Sequence, residues 1–235
     1  VLATDPDADR VGIAAKNANH EFELLNGNQT AALLIYYLLT QWEEKGQLKG
    51  QEYIVKTIVT TELISAIAAH FKVTCLDTLT GFKYIAEKIR QLESTQTFIG
   101  GGEESYGYLI GDKVRDKDAV MSCAMIAELT AWAKEQNKTL FDLLLDIWIK
   151  FGLYHEGLIS ITKKGKAGAL EIHEIMNKLT NNPPIFLNDF LVTEIIDYSN
   201  LTRLETKTKK ILSLDSHKSN VLQFITEDGS RISIR

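Results

Sequence analysis

Cysteine is scarce in this chain: Cys75 and Cys123 are the only two, far apart and each in an apolar setting. With no C-x-x-C pair, neither a zinc ribbon nor a thioredoxin-type redox site has support, and two isolated thiols fit a reducing compartment. Long apolar runs are missing too. None reaches the roughly 18 residues that a membrane-spanning helix needs. No secretory signal opens the chain, so a cytoplasmic protein is expected. Histidine never recurs at metal-binding spacing. His20, His70, His155, His173 and His217 form no H-x-x-x-H or H-E-x-x-H pair, and each reads as structural or surface. An excess of positive charge is also absent. The net charge is −5 over 235 residues, a poor balance for non-specific nucleic-acid binding, which depends on clustered Lys and Arg. The short basic run Lys207-Thr208-Lys209-Lys210 reads as a solvated loop. Internal repeats and low-complexity segments are lacking as well.

What remains is ordinary globular material, 45% hydrophobic and 24% charged, in a length that suits one or two domains. Val1-Leu2-Ala3-Thr4 runs like a strand straight into Asp5-Pro6-Asp7, and Ser230–Arg235 alternates like a strand to the last residue. The expectation is a piece of a longer protein. Residues 10–16 and 21–25 read as strands around a polar turn at Asn17–His20, and Asn26-Gly27-Asn28 supplies a turn and a cap. Apolar residues then recur at helical spacing from Thr30 to Trp42 (Leu34, Leu38, Trp42). A rhythm follows: strand-like Tyr53–Val59, helical Glu62–Phe71, strand-like Val73–Asp77, helical Phe82–Leu92, strand-like Thr97–Ile99, and a long helix over Asp118–Gln136. Strands alternating with helices argue for βαβ units and a parallel or mixed sheet covered by helices on both faces. In such a sheet, ligands sit beyond the carboxyl ends of the strands. The loops at Thr60-Thr61, Thr78–Lys83 and Gly100–Gly107 should therefore face one crevice. Thr60 and Thr61 themselves read as caps of the following helix. Trp42, Trp132 and Trp148 read as core.

After Asn137 the pattern changes. One more helix is expected over Thr139–Lys150, with Asp142 in its first turn, where a negative charge suits the dipole. A strand over Tyr154–Thr162, a helix over Ala167–Leu179, and strands over Val192–Asp197, Asn220–Thr226 and Arg231–Arg235 follow. The expected fold is thus α/β: a three-layer domain followed by a smaller, incomplete α+β domain. The expected divisions are residues 1–25, 26–137 and 138–235.

Asp5, Asp7 and Asp9 alternate in a tight loop at a strand end. Three carboxylates so placed can converge on a hard cation such as Mg²⁺ or Ca²⁺. The EF-hand pattern fails, because Arg10 stands where that loop needs Gly and Lys16 where it needs Glu. A calcium sensor is thereby disfavoured. Arg10, directly after the acids, suits a phosphate held beside a metal. Glu103 and Ser105 lie two apart in a glycine-rich turn. A carboxylate there repels phosphate but accepts hydrogen bonds from vicinal hydroxyls, as a sugar offers. P-loop chemistry is excluded, since Tyr108-Leu109 follows Gly107. Arg115 and Lys117 precede a helix and favour an anion. Proton transfer by Lys117 would need a lowered pKa.

Thr4-Asp5-Pro6-Asp7-Ala8-Asp9-Arg10 resembles the metal-binding loop of the α-D-phosphohexomutases, the phosphoglucomutase and phosphomannomutase superfamily. Gly102-Glu103-Glu104-Ser105-Tyr106-Gly107 resembles that family's sugar-binding loop. Thr80-Gly81-Phe82-Lys83 resembles the loop facing the sugar, and Arg115-Asp116-Lys117-Asp118 a basic substrate-contacting segment. The four stand in the family's order and span nearly the whole chain. The resemblance implies a four-domain enzyme in which a phosphoserine exchanges its phosphoryl group with a hexose phosphate through a hexose bisphosphate. It implies Mg²⁺ on Asp5, Asp7 and Asp9, catalytic roles for Arg10 and Lys117, and substrate contacts at Gly81, Phe82, Lys83, Glu103, Ser105 and Arg115. The serine would lie upstream, and a final phosphate-binding loop would begin past Arg235. An aromatic after G-E-E-S resembles glucose-preferring members, so glucose 1-phosphate to glucose 6-phosphate is the expected conversion. Phosphomannomutase or phosphopentomutase activity, or phosphosugar binding without turnover, is the alternative.

Overall fold

Two-residue alternation builds the first sheet. β1 (Leu2–Thr4), β2 (Val11–Lys16) and β3 (Phe22–Leu25) are antiparallel in the order β1-β2-β3, with Thr4 opposite Val11 and Ile13 opposite Leu25. Val11, Ile13 and Leu25 are buried, as residues sharing one face of a pleated sheet should be. Residues 5–10 are left as the loop joining β1 to β2.

The computed structural model describes residues Val1–Arg235, in two compact units, Val1–Glu156 and Gly157–Arg235. In the first, α1 (Gly27–Glu44) starts at a capping box. The Asn26 side chain accepts from the Gln29 amide, and the Gln29 side chain accepts from the Asn26 amide. Its residues from Ala31 to Leu39, Tyr36 excepted, are buried, which makes it an inner helix. Then come β4 (Glu52–Thr57), α2 (Leu63–His70), β5 (Thr74–Thr78), α3 (Phe82–Leu92), β6 (Thr97–Gly102), β7 (Tyr108–Ile110), α4 (Ala119–Glu135) and α5 (Leu140–Phe151). The sheet order is β5-β4-β6-β7, with β4 parallel to β5 and β6, and β7 antiparallel to β6. Alternate residues choose the layers. Ile54, Ile99 and Tyr108 pack with α1, α2, α4 and α5, while Tyr53, Val55, Phe98 and Leu109 pack with α3. This is a three-layer mixed sheet with helices on both faces. Strand β7 is additional to the sequence expectation; it is three residues long and follows a glycine-rich stretch. Lys56, fully buried in the central strand β4, is tolerated because Glu62 and Asp77 each bring a carboxylate oxygen to 2.8 Å from its ammonium.

Helix α5 belongs to this unit. Leu140, Leu143, Leu144 and Ile147 bury in the same core as α1, so the division falls after residue 156 and not after 137.

The second unit comprises α6 (Gly165–Asn181), β8 (Phe186–Leu187), β9 (Phe190–Asp197), β10 (Thr202–Glu205), β11 (Lys210–Ser213), β12 (Leu222–Thr226) and β13 (Arg231–Ile234). Its antiparallel sheet runs β11-β10-β9-β12-β13, with β8 on β9. Met176, Val192, Leu222 and Phe224 form its core. The α+β class is as expected, but the strand expected over Tyr154–Thr162 is not formed: residues 152–164 have no regular structure. Leu158 and Ile159 are 90% and 88% exposed. Strand-favouring residues alone do not make a strand; the backbone needs a neighbour to pair with. No helix is long and apolar enough to cross a membrane.

Candidate functional site

The acidic loop is shaped by Asp5. Its Oδ1 accepts from the amides of Asp9 and Arg10, both at 3.1 Å, and its Oδ2 accepts from Arg10 Nε at 2.6 Å. Burial works against the charged carboxylate, but these hydrogen bonds outweigh it and hold Asp5 down to about 2. Ala8 takes a left-handed conformation, φ 55°, which folds the loop so that carboxylate oxygens of Asp5, Asp7 and Asp9 lie within 4.8 Å of one another. Asp9 Oδ1 is buried without a hydrogen bond, with Arg10 Nε 3.4 Å away. An orphaned carboxylate oxygen in an all-oxygen cluster fits a hard divalent cation, and these three residues could hold one.

Two backbone hydrogen bonds tie this loop to the sheet's carboxyl end. The Val11 amide donates to Tyr106 O at 3.1 Å, and the Ala119 amide, at the start of α4, donates to Ala8 O at 3.2 Å. The turn at residues 103–107 is closed by the Glu103 amide on Gly107 O, 2.9 Å. Nearly buried, Glu103 accepts from the Gly81 amide through Oε1 at 2.6 Å. The loops after β5 and β6 therefore meet, as strand-end crevices of parallel sheets do. Ser105 is exposed on the same turn.

Lys117 joins the pieces. Its ammonium is 3.0 Å from Asp9 Oδ2 and 5.3 Å from the centre of the Phe82 ring, a cation–π distance. Its stem lies so close to Gly107 that an added Cβ would stand 2.1 Å from it. Burial pulls the ammonium down, but Asp9 and Asp116 outweigh it and raise it above the usual lysine range. In this arrangement the Lys117 ammonium is held against Asp9 and Asp116.

Arg10, Gly81, Phe82, Glu103, Ser105, Lys117 and the three aspartates thus belong to one region of the first unit. Two residues stand differently. Lys83 is exposed, its ammonium 4.8 Å over the Tyr84 ring, and Arg115 is turned away to pair with Glu93, the cap residue ending α3. Sequence reasoning passed over Glu104, whose Oε2 accepts from the hydroxyls of Thr57 at 3.1 Å and Thr60 at 3.3 Å. Thr61 does act as a local cap, accepting from the Leu63 amide at 3.2 Å, whereas Thr60 serves Glu104. The available signal was a T-x-x-T pair at a strand end facing a loop of acids.

Residues 26–151 match the family model for the α/β/α domain III of phosphoglucomutase/phosphomannomutase. The chain belongs to the phosphoglucomutase/phosphomannomutase family. Among its relatives, the phosphoglucomutase of Staphylococcus haemolyticus is 36% identical over 231 residues, covering 97% of this chain and 41% of the relative. That of Staphylococcus aureus is 38% identical over the same shares. The chain spans about two fifths of the length of these curated relatives. Parafusin, a phosphoglucomutase of Paramecium solved in its open form, superposes over 100% of this chain and 37% of its own, with a TM-score of 0.64 at 18% identity. That likeness concerns the fold.

Proposed function

We propose that this phosphohexomutase chain is the part of a phosphosugar mutase that holds the metal and reads the sugar. The reaction moves a phosphoryl group between C1 and C6 of a hexose phosphate, glucose 1-phosphate to glucose 6-phosphate, through a phosphoserine and a hexose bisphosphate. The observation that carries the reading is Lys117, whose ammonium touches Asp9 of the acidic loop and faces Phe82 beside Gly81, while its methylene stem lies against Gly107 of the glutamate turn. On this reading, three motifs spread over about a hundred residues of sequence form one site. The phosphoserine that the resemblance implies is assigned, as part of this proposal, to a part of the enzyme outside this chain.

Each residue has a role its chemistry allows. Asp5, Asp7 and Asp9 would hold Mg²⁺, which when bound neutralises phosphoryl oxygens. Arg10 adds a guanidinium for charge-assisted hydrogen bonds to the same group. Lys117 keeps a positive charge between phosphate and sugar. Glu103 accepts from ring hydroxyls through the carboxylate oxygen not engaged by Gly81, and Ser105 adds a hydroxyl. Because Glu103 repels phosphate, it leaves the phosphoryl ends to the cations, and either end of the sugar can be presented. Tyr106 directly after Ser105, together with the names of the relatives, supports glucose over mannose or pentose.

The test is calorimetric titration of the chain with Mg²⁺ and then with glucose 1-phosphate. Millimolar sugar-phosphate binding is expected, with Mg²⁺ uptake lost in Asp7→Asn. In the complete mutase, Glu103→Ala should raise KM and lower kcat/KM with Mg²⁺ binding intact. Unchanged kinetics would remove Glu103 from the site.

A further inference from the structure

Glu103 and Glu104 are adjacent, yet their side chains go to different floors of the sheet. Glu103 reaches Gly81 on the loop after β5. Glu104 goes instead to the end of β4. There the hydroxyls of Thr57 and Thr60 lie 3.1 and 3.3 Å from its Oε2 and 2.8 Å from each other. One hydroxyl can donate to the carboxylate directly, and the other directly or through its neighbour. Thr57 and Thr60 are 0% and 3% exposed, so water does not compete for these bonds. Hydroxyls so buried need an acceptor, and a charged acceptor gives the stronger bond. The backbone at Glu104 is also pressed against the start of α1, where a Cβ on Gly27 would come within 1.8 Å of Glu104 O.

We infer that Glu104 is a positioning residue of the sugar site: anchored to Thr57 and Thr60, it fixes the 103–107 turn so that Glu103 and Ser105 face the crevice. This rests on the proposed function, since it assigns the turn a sugar to meet. Glu104 touches the strand floor and acts through its two neighbours. Its anchor is separate from the acidic loop, so its loss should weaken sugar binding and leave the metal alone.

The experiment titrates the chain with glucose 1-phosphate and, separately, with Mg²⁺. Glu104→Ala, and independently the paired Thr57→Val and Thr60→Val, should weaken sugar-phosphate binding by on the order of tenfold, the worth of one charge-assisted hydrogen bond. Glu104→Gln keeps an acceptor oxygen and should restore binding to near the unaltered level. Mg²⁺ affinity should stay constant throughout. If Glu104→Ala does not fold, the threonine pair decides. Sugar-phosphate binding unchanged in these variants overturns the inference, as does a loss of Mg²⁺ and sugar binding together, which would mark a general structural role. Should the unaltered chain take up no glucose 1-phosphate, the functional reading falls and the inference with it, a result distinct from both others.

Discussion

The two units bury apolar side chains very differently. Val1–Glu156 holds two core clusters on either side of its mixed sheet. Gly157–Arg235 rests on a cluster centred on Met176, Val192, Leu222 and Phe224, while Leu158, Ile159, Leu170, Ile185 and Phe186 stay exposed. Small cores stabilise weakly, because little surface leaves water when they form. Every candidate site residue lies in the first unit. The proposed site, in which carboxylates and a turn must keep their places, benefits from close-packed support.

The sharpest way to break this comparison is to empty the smaller core. Phe224→Ala should cost about 3–5 kcal/mol and unfold residues 157–235. The first unit should keep its amide pattern and its Mg²⁺ uptake. Amide NMR spectra recorded through a thermal melt would show two separate losses. A single shared loss would mean that the units stabilise each other and that the contrast is only one of composition.

A smaller effect is expected inside the first unit. In Gly27→Ala the new Cβ would stand 1.8 Å from Glu104 O, a clash with backbone that cannot be relieved by rotating a side chain. Overpacking of this kind costs about 1–3 kcal/mol. The displacement should fall on residues 104–106, so that Tm drops modestly, glucose 1-phosphate binding weakens, and the second unit melts as before. Unchanged amide shifts at Ser105 would show that the helix start does not support the turn.

The same contrast explains what could be read in advance. Helices α1 to α5 and strands β4 and β6 were legible because their apolar content agrees with their burial, and half-exposed β5 because it falls between two helices. The acidic loop and the glutamate turn stood out as candidates because of their residue types and order. Strands β10 and β11 were not, since each is only four residues long with little apolar content, and pairing selects them: β10 on β9, and β11 on β10. Residues 154–162 read as strand-like from Tyr154, Ile159, Ile161 and Thr162 and yet form no strand. Within the site, Lys117 looked like half of a basic segment. Its meeting with Asp9, Phe82 and Gly107, and the turning of Arg115 to Glu93, depend on tertiary placement that sequence spacing does not encode. The Thr57–Thr60–Glu104 anchor joins positions 44 or more apart and lay beyond local reasoning for the same reason.

The smallest predicted effect compares one hydrogen-bonded carboxylate from each unit in its response to acid. Asp197, in the second unit, is nearly buried. Burial raises its pKa, but hydrogen bonds from Ser199 and Asn200 outweigh this and bring it below the ordinary 3.8. With the folded value depressed, the contribution is fully present above the unfolded value. Below it the unfolded chain takes up the proton first, and stability drains until the pH has passed the folded value as well. Melting curves recorded from pH 5 to about pH 2 should therefore show the second unit losing stability on the acid side. Asp197→Asn should flatten that slope at the cost of a lower Tm at neutral pH. In the first unit Asp142 closes the capping box of α5 and is likewise held low by the Thr139 amide and hydroxyl. It is exposed, and the core around α5 is extensive, so Asp142→Asn should move the acid limb of that unit by less. A larger shift from Asp142→Asn than from Asp197→Asn would show that the better-packed unit leans on its surface caps more than its core suggests.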